Sequence, residues 1–402
     1  MTKNNDQKIE EALDRWTDKI YPSIKEFKKA LKSKKLTIYI GVDPTAPHLH
    51  LGHSTNFFLL KKFQELGHKI ILLVGDFTAQ IGDPTGKSTA RKSLTRKQVL
   101  ENCRTYREQA GKILSFKPKK NPAELKFNSQ WLGKLTPEEI VRLAANFTHG
   151  QMIKRNMFQQ RLKRKEEIYL HEFLYPLFQA YDSVALNVDA EVGGTDQTFN
   201  MLRGRDLMKD YRNKEKFVIS TPLLINPKTG RKLMSKTESF IALDCSPSDM
   251  YGKIMALPDE VISECFKLCT EAPLKEVREI ESNLKEKKIN PRDVKEILAG
   301  EIVNIYHGEK ATIGAEKEFN RIFKEKKLPT KIPEIKISES SLLILDLLIK
   351  TKLASSKSEA KRLIIQGGVK IDEETQNDWK KNVKIKKGQV VQVGKRKFIK
   401  IA

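Results

Sequence analysis

The 402-residue sequence carries 75 Lys+Arg against 51 Asp+Glu, a formal net charge of +24 with a pI near 9.6. At roughly 100–200 residues per domain the length fits two to four domains, and 39% hydrophobic residues with a mean hydropathy of −0.50 suffice for packed cores, which excludes disorder throughout. Apolar runs such as Lys69–Val74 and Ser341–Leu345 fall far short of the ~20 residues that cross a bilayer. The N-terminal text, acidic at Glu10, Glu11 and Asp14, lacks the apolar core of a secretory signal. These features predict a cytoplasmic protein without a membrane span, and the charge predicts a polyanionic partner. Cys103, Cys245, Cys265 and Cys269 contain no Cys-x-x-Cys pair and read as reduced thiols.

Taken in chain order, residues 1–35 read as an amphipathic helical prefix, with Ile9, Leu13, Trp16, Ile20 and Phe27 near helical spacing. Leu36–Val42 is β-branched and apolar and reads as a strand, broken by Asp43-Pro44-Thr45; Leu51–Leu66 reads as a helix ending at Gly67. Lys69–Val74 is a continuous apolar strand of the kind buried on both faces of a parallel sheet. Strand, helix, strand at this spacing is a βαβ unit and predicts a doubly wound α/β domain over residues 36–245. A helical insertion, about residues 118–180, interrupts it, and strands are expected again near Val184–Val188 and Phe217–Ile225. Residues 246–335 read as a helical domain, Pro329–Ser341 as a linker, and residues 342–402 as a small α+β module. That tail holds 15 basic and 6 acidic residues, a net +9, over a third of the excess charge.

Three constellations carry chemistry. Tyr39-Ile-Gly-Val-Asp-Pro-Thr-Ala-Pro-His-Leu-His-Leu-Gly-His53 sits where a strand ends and a helix begins, the place where open α/β sheets bind ligands. His50 and His53 bracket Leu51-Gly52 at the helix start, where free N–H groups and the dipole favour phosphate and glycine admits close approach. A metal site on His48, His50 and His53 is the competing reading; the cation-repelling helix end and the lack of adjacent Cys, Asp or Glu disfavour it. Gly82-Asp-Pro-Thr-Gly-Lys-Ser88 approximates a P-loop but has Ile81 where the first glycine is required, leaving a turn that presents Asp83, Lys87 and Arg91. Arg231-Lys-Leu-Met-Ser-Lys-Thr-Glu-Ser239 is a loop whose Lys232, Ser235, Lys236 and Thr237 suit a departing pyrophosphate.

His50-Leu-Gly-His53 resembles the HIGH signature, and Leu233-Met-Ser-Lys-Thr237 the KMSKS signature, of class I aminoacyl-tRNA synthetases. With Tyr39–Thr45, Gly82–Lys87, Tyr175-Pro-Leu-Phe-Gln-Ala-Tyr-Asp182 and Gly193-Gly-Thr-Asp-Gln197 in order, the sequence is identified as a member of the bacterial tyrosyl-tRNA synthetases. Ser355–Asp372 extends the similarity into a tail resembling an RNA-binding domain shared with a small-subunit ribosomal protein. The resemblance implies a Rossmann-like catalytic domain followed by a helical anticodon-side domain and an RNA-binding tail. It also implies L-tyrosine, ATP with accompanying Mg²⁺, and tRNA(Tyr) as ligands, no resident metal, and a homodimer joined through the insertion.

Carried over by position, the resemblance places the substrate phenol between Tyr39 and Asp182, so that phenylalanine would leave a buried pair unsatisfied. Asp83, Tyr175 and Gln179 hold the ammonium, with Gln197 near the carboxyl or ribose. Gly41, Asp43, Gly52, Gly194, Asp196 and Ser235 serve ATP, Asp196 through the ribose. Thr45 and His50 face the γ-phosphate and His53 the ribose, while Lys87, Arg91, Lys236 and Thr237 meet the charge on pyrophosphate. No general base is needed, because the tyrosine carboxylate attacks directly. Two departures stand out: Leu233 replaces the first lysine of KMSKS, with Lys232 beside it, and Thr198-Phe-Asn200 replaces the common Trp-Gly-Asn. A tryptophanyl synthetase, or a synthetase-derived RNA-binding protein without activity, are the rival readings; Tyr39 with Asp182 opposes the first, and retention of His50, His53, Asp182 and Lys236 the second.

Overall fold

Six strands, β1 (Lys19–Tyr21), β2 (Thr37–Val42), β3 (Lys69–Val74), β4 (Glu124–Phe127), β5 (Ala190–Gly194) and β6 (Phe217–Thr221), form one sheet in the order β1-β6-β5-β2-β3-β4. The computed structural model describes residues 3–85, 93–117, 121–234, 239–325, 328–330, 332–394 and 397–402. β2 and β3 pair in parallel from Thr37↔Lys69 to Val42↔Val74. Helices cover both faces of this pair, so Ile70, Ile71, Leu72 and Leu73 are all buried, which is why the text of β3 is continuously apolar rather than alternating. The helix Leu51–Glu65 follows β2, as expected, and the fold class is the doubly wound α/β arrangement read from the sequence.

Several elements differ from expectation. The prefix is not separate: β1 lies within it and pairs antiparallel with β6. Val184 belongs to the helix Leu170–Leu186, not to a strand; the helix ends at left-handed Asn187 (φ 49°), and the strand begins at Ala190. A short buried apolar run has the same composition in either element, so periodicity misassigns it. β6 stops at Thr221 because Pro222 has no N–H to give the ladder. The insertion contributes β4, added in parallel to the edge of β3.

The described chain forms two compact units, Met1–Cys245 with Leu257–Tyr306, and Ser246–Ala256 with His307–Ala402. The helical stretch expected as one domain is therefore divided between them. In the second unit the helices Ile344–Lys350 and Lys357–Ile365 pack on a small sheet through Leu347, Leu348, Ile364 and Val391. Within the expected linker, Glu334–Ile335 pairs in parallel with Lys397–Ile401.

In the first unit Arg15 is 1% exposed. Its guanidinium donates to the carbonyls of Phe266, Lys267, Thr270 and Ala272 at 2.5–3.0 Å. Those carbonyls close the helix Ile262–Cys269, whose last turn has no internal donors. Trp16 stacks on Phe58 beside it, with ring centroids 5.8 Å apart. Arg15→Met is expected to cost about 3 kcal/mol, since buried carbonyls lose a charged donor; urea unfolding followed by Trp fluorescence measures it.

Candidate active site

A cavity of about 640 Å³ opens at the C-terminal ends of β2, β3 and β5 and at the N-terminus of the helix Leu51–Glu65. The strand order turns there: from β2 the chain proceeds to β3 and β4 on one side, and β5 and β6 lie on the other. Such a reversal splays the connections apart and leaves a crevice. Of the expected site residues, Gly41, Asp43, His50, Gly52, His53, Asp83, Tyr175, Gln179, Asp182, Gly194, Asp196 and Gln197 line this cavity. Lys87, Arg91, Ser235, Lys236 and Thr237 lie outside the described residues.

Tyr39 and Thr45 are not among the lining residues. The Tyr39 side chain packs with Ile71, Leu73 and Val188, and its hydroxyl lies 2.9 Å from Ser183 Oγ. It stands behind the wall of the cavity because Tyr39 leaves β2 on the face covered by the helix Leu170–Leu186. Thr45 follows Pro44 into an exposed turn and donates its N–H to the Asp43 carbonyl at 2.8 Å.

At one end of the cavity the Asp182 carboxylate accepts from Trp131 Nε1 at 2.7 Å and Asn128 Nδ2 at 3.2 Å. Burial pushes its pKa well above the usual carboxylate range, against the pull of these two donors. Asp43 accepts from the Tyr175 hydroxyl at 2.9 Å and from Thr78 at 2.7 Å, so Tyr175 is held by a carboxylate that sequence reasoning assigned to ATP. A Cβ at Gly75 would stand 2.0 Å from Asp43 Oδ1, which explains glycine there. Asp83 accepts from Gln197 Nε2 at 2.7 Å and from the Thr85 N–H at 2.9 Å. Asn200 spends its two amide protons on Gln179 Oε1 and Gln197 Oε1, at 2.9 and 3.1 Å. The variant triplet Thr198-Phe-Asn200 thus keeps the residue that couples the two glutamines.

At the nucleotide end His50 is the N-cap of its helix. Its Nδ1 accepts the Gly52 N–H at 3.1 Å, and His53 Nδ1 accepts the His50 N–H at 3.1 Å. Burial lowers the pKa of His50 to about 2, reinforced by His53, and that of His53 to about 4. Both rings are therefore neutral near pH 7, and with each Nδ1 accepting, the single proton sits on Nε2 as a donor. His48 turns away to Asp244, 2.8 Å distant, so the three histidines do not converge. Asp196 pairs with Lys232 at 2.6 Å. The Leu233 side chain is 0% exposed in the core, while Lys232 lines the cavity. Here the neighbouring lysine, not position 233, presents the cation.

Thr78, Asn128, Trp131, Glu191 and Asn200 were not singled out as site residues from sequence, whereas Lys232 was, as a cation of the loop Arg231–Ser239. Asn128 and Trp131 share one segment and Thr78, Glu191 and Asn200 come from three others; only the pairing of β3 with β4 brings Asn128 and Trp131 to Asp182.

A family described as tRNA synthetases class I (W and Y) matches residues 31–324, and a tyrosine--tRNA ligase SYY-like C-terminal domain matches residues 324–401. The chain belongs to the class I tRNA synthetases of the tryptophan and tyrosine group. The tyrosine--tRNA ligase of Thermotoga maritima is 46% identical over 92% of this chain and 90% of its own, and that of Carboxydothermus hydrogenoformans is 43% identical over 97% of each. Within the group, the chain falls with these tyrosine--tRNA ligases. A C-terminally truncated mitochondrial tyrosyl-tRNA synthetase of Coccidioides posadasii superposes with a TM-score of 0.63 at 26% identity, covering 79% of this chain and 92% of that one.

Proposed function

We propose that the chain activates L-tyrosine with ATP to an enzyme-bound tyrosyl-adenylate and passes the tyrosyl group to the 3′ end of tRNA(Tyr). The observation that carries this reading is the buried Asp182 carboxylate, braced by Asn128 and Trp131, in the same cavity as the neutral His50–His53 pair. The first suits a phenol donor; the second offers two N–H groups and a helix N-terminus to phosphate. The substrate carboxylate is already a nucleophile, so the residues position it and disperse charge. Asp83, Gln179 and Gln197 are assigned to the amino acid's polar end. Asp196 is assigned to the ribose, in exchange for Lys232. Mg²⁺ arrives with ATP as part of that substrate.

Pyrophosphate exchange into ATP with each of the twenty amino acids tests the reading. Exchange with tyrosine alone is expected; folded protein without tyrosine-dependent exchange overturns it. A Cβ at Gly194 would stand 2.6 Å from Asp196 Oδ1 and 2.8 Å from Leu223 Cδ2. Gly194→Ala should accordingly raise KM for ATP by about tenfold, an overpacking cost of 1–2 kcal/mol, with KM for tyrosine within about twofold.

A cytoplasmic homodimer is part of this proposal. Val141 and Leu170, in the insertion, are 70% and 83% exposed, with Leu162 and Tyr169 also exposed, which supports a partner covering them. The stretch 246–335 is assigned to the anticodon side and the basic tail to the tRNA's phosphates. Removing residues beyond about 340 should reduce tRNA charging far more than pyrophosphate exchange, and salt should weaken the intact protein's tRNA affinity.

A further inference from the structure

Pro44-Thr-Ala-Pro-His-Leu49 joins β2 to the helix that His50 caps, and its two prolines bring no N–H. Its outer face is exposed at Thr45, Pro47 and His48, so water could serve its carbonyls. Side chains serve them instead. Asn102 Nδ2 donates to the Pro44 carbonyl at 2.9 Å, the Tyr106 hydroxyl to that of Ala46 at 2.6 Å, and Gln109 Nε2 to that of Pro47 at 2.9 Å. Asn102, Tyr106 and Gln109 come from the consecutive helices Arg96–Asn102 and Tyr106–Ala110. They follow one another at steps of four and three, the spacing that sets helical side chains on one face.

Gln109 is the most fully committed of the three. It is 2% exposed; its Oε1 accepts the Leu49 N–H at 2.7 Å, while Nε2 donates to Pro47 and, at 2.7 Å, to Thr105 Oγ1. One amide thereby holds the backbone on either side of His48. From the opposite direction the Leu243 N–H donates to the Leu49 carbonyl at 2.9 Å, and the Leu51 N–H to the Ile241 carbonyl at 3.1 Å. The residue before the cap is thus gripped at both its N–H and its carbonyl. His50 itself has the extended backbone of an N-cap, φ −135° and ψ 169°, and its ring meets Phe240 edge to face with centroids 5.5 Å apart.

Stability alone does not call for this arrangement. Solvent would satisfy an exposed turn without the conformational entropy lost in ordering three side chains. What the arrangement secures is the place of His50, because a ring on a short side chain goes where its backbone puts it. His50 and Gly52 line the cavity, and a misplacement of about 1 Å among reacting groups can cost 10²-fold in rate.

We propose that Gln109 is a positioning residue for adenylate formation: with Asn102 and Tyr106 it fixes the Pro44–Leu49 connection and, through Leu49, the place of His50 at the cavity. This rests on the cavity being the ATP site of the proposed reaction. Pyrophosphate-exchange kinetics of full-length Gln109→Met and Tyr106→Phe, each made in the wild type and in His50→Ala, test it. In the wild type kcat should fall about tenfold for Gln109→Met and about fivefold for Tyr106→Phe, the effect of buried hydrogen bonds lost, with KM for tyrosine within about twofold. In His50→Ala neither should lower kcat by more than about twofold, because the group they position is gone. Tyr106→Phe keeps its ring in the core and decides the matter if Gln109→Met does not fold. Equal losses in the two backgrounds, an unchanged kcat in either folded variant, or a loss confined to KM for tyrosine overturns the role of Gln109. Wild-type protein that shows no tyrosine-dependent exchange overturns the parent reading instead, and is seen before any variant is made.

Discussion

Asp182→Ala is expected to lower kcat/KM for tyrosine by about 100-fold or more while gaining in stability on the wild type as pH rises. The first effect follows from the hydrogen bond that the substrate phenol would make to a carboxylate, worth roughly 1.5–3 kcal/mol when charged, plus the cost of leaving the phenol unpaired in a dry site. The second follows from linkage. Burial raises the Asp182 pKa in the folded state, so between its unfolded value near 3.8 and the folded value the native protein binds the extra proton. Its stabilising share is complete below pH 3.8 and declines as pH climbs through the folded pKa. Alanine carries no such proton. Thermal unfolding of both proteins at pH 5 and pH 8 should therefore show the difference moving in favour of the variant at pH 8; a difference that moves the other way contradicts the assignment.

His50→Ala is expected to reduce kcat for exchange by about 10²–10³, the usual consequence of removing one preorganised donor from developing charge, with KM for tyrosine nearly unchanged. It also removes the helix N-cap, costing about 1 kcal/mol of stability. His50→Asn separates the two, because asparagine caps well and should restore stability with only part of the rate. With pKa values lowered to about 2 and about 4, neither His50 nor His53 titrates near 6.5, and the rate should show no histidine limb between pH 5.5 and 8. The stability sign is the reverse of that of Asp182. The unfolded histidines take up protons below about 6.5 and the folded ones do not, so stability present above 6.5 is lost as pH falls toward 4 for His53 and toward 2 for His50.

Much of this site was legible because its chemistry lies in contiguous strings. His50 to His53 spans one helical turn and declares a helix start, and Gly193 to Gln197 spans the end of one strand. β2 and β3 were readable because burial on both faces of the sheet leaves them almost wholly apolar. What stayed hidden depends on contacts between distant segments. Nothing around Asn128 or Trp131 marks them as supports for Asp182, since the contact exists only after β4 has added to the sheet edge. Tyr39 shows the converse: its motif was recognised, yet the pleat of β2 turns its hydroxyl toward Ser183. Lys216, in a stretch with Lys214 and Glu215, has the look of a solvated loop and is wholly enclosed.

The Arg15 clasp has a consequence in time. Its acceptors reach as far as Ala272, 257 positions later, and at roughly 5–20 residues per second a ribosome needs about 13–50 s to make them. Throughout that interval the guanidinium of Arg15 lacks the carbonyls that finally enclose it, although Phe58, the stacking partner of Trp16, is already made. β1 waits similarly for β6. The earliest segment of the larger unit is thus among the last to be locked, and the nascent chain's exposure to proteases and holding chaperones is concentrated at its oldest end.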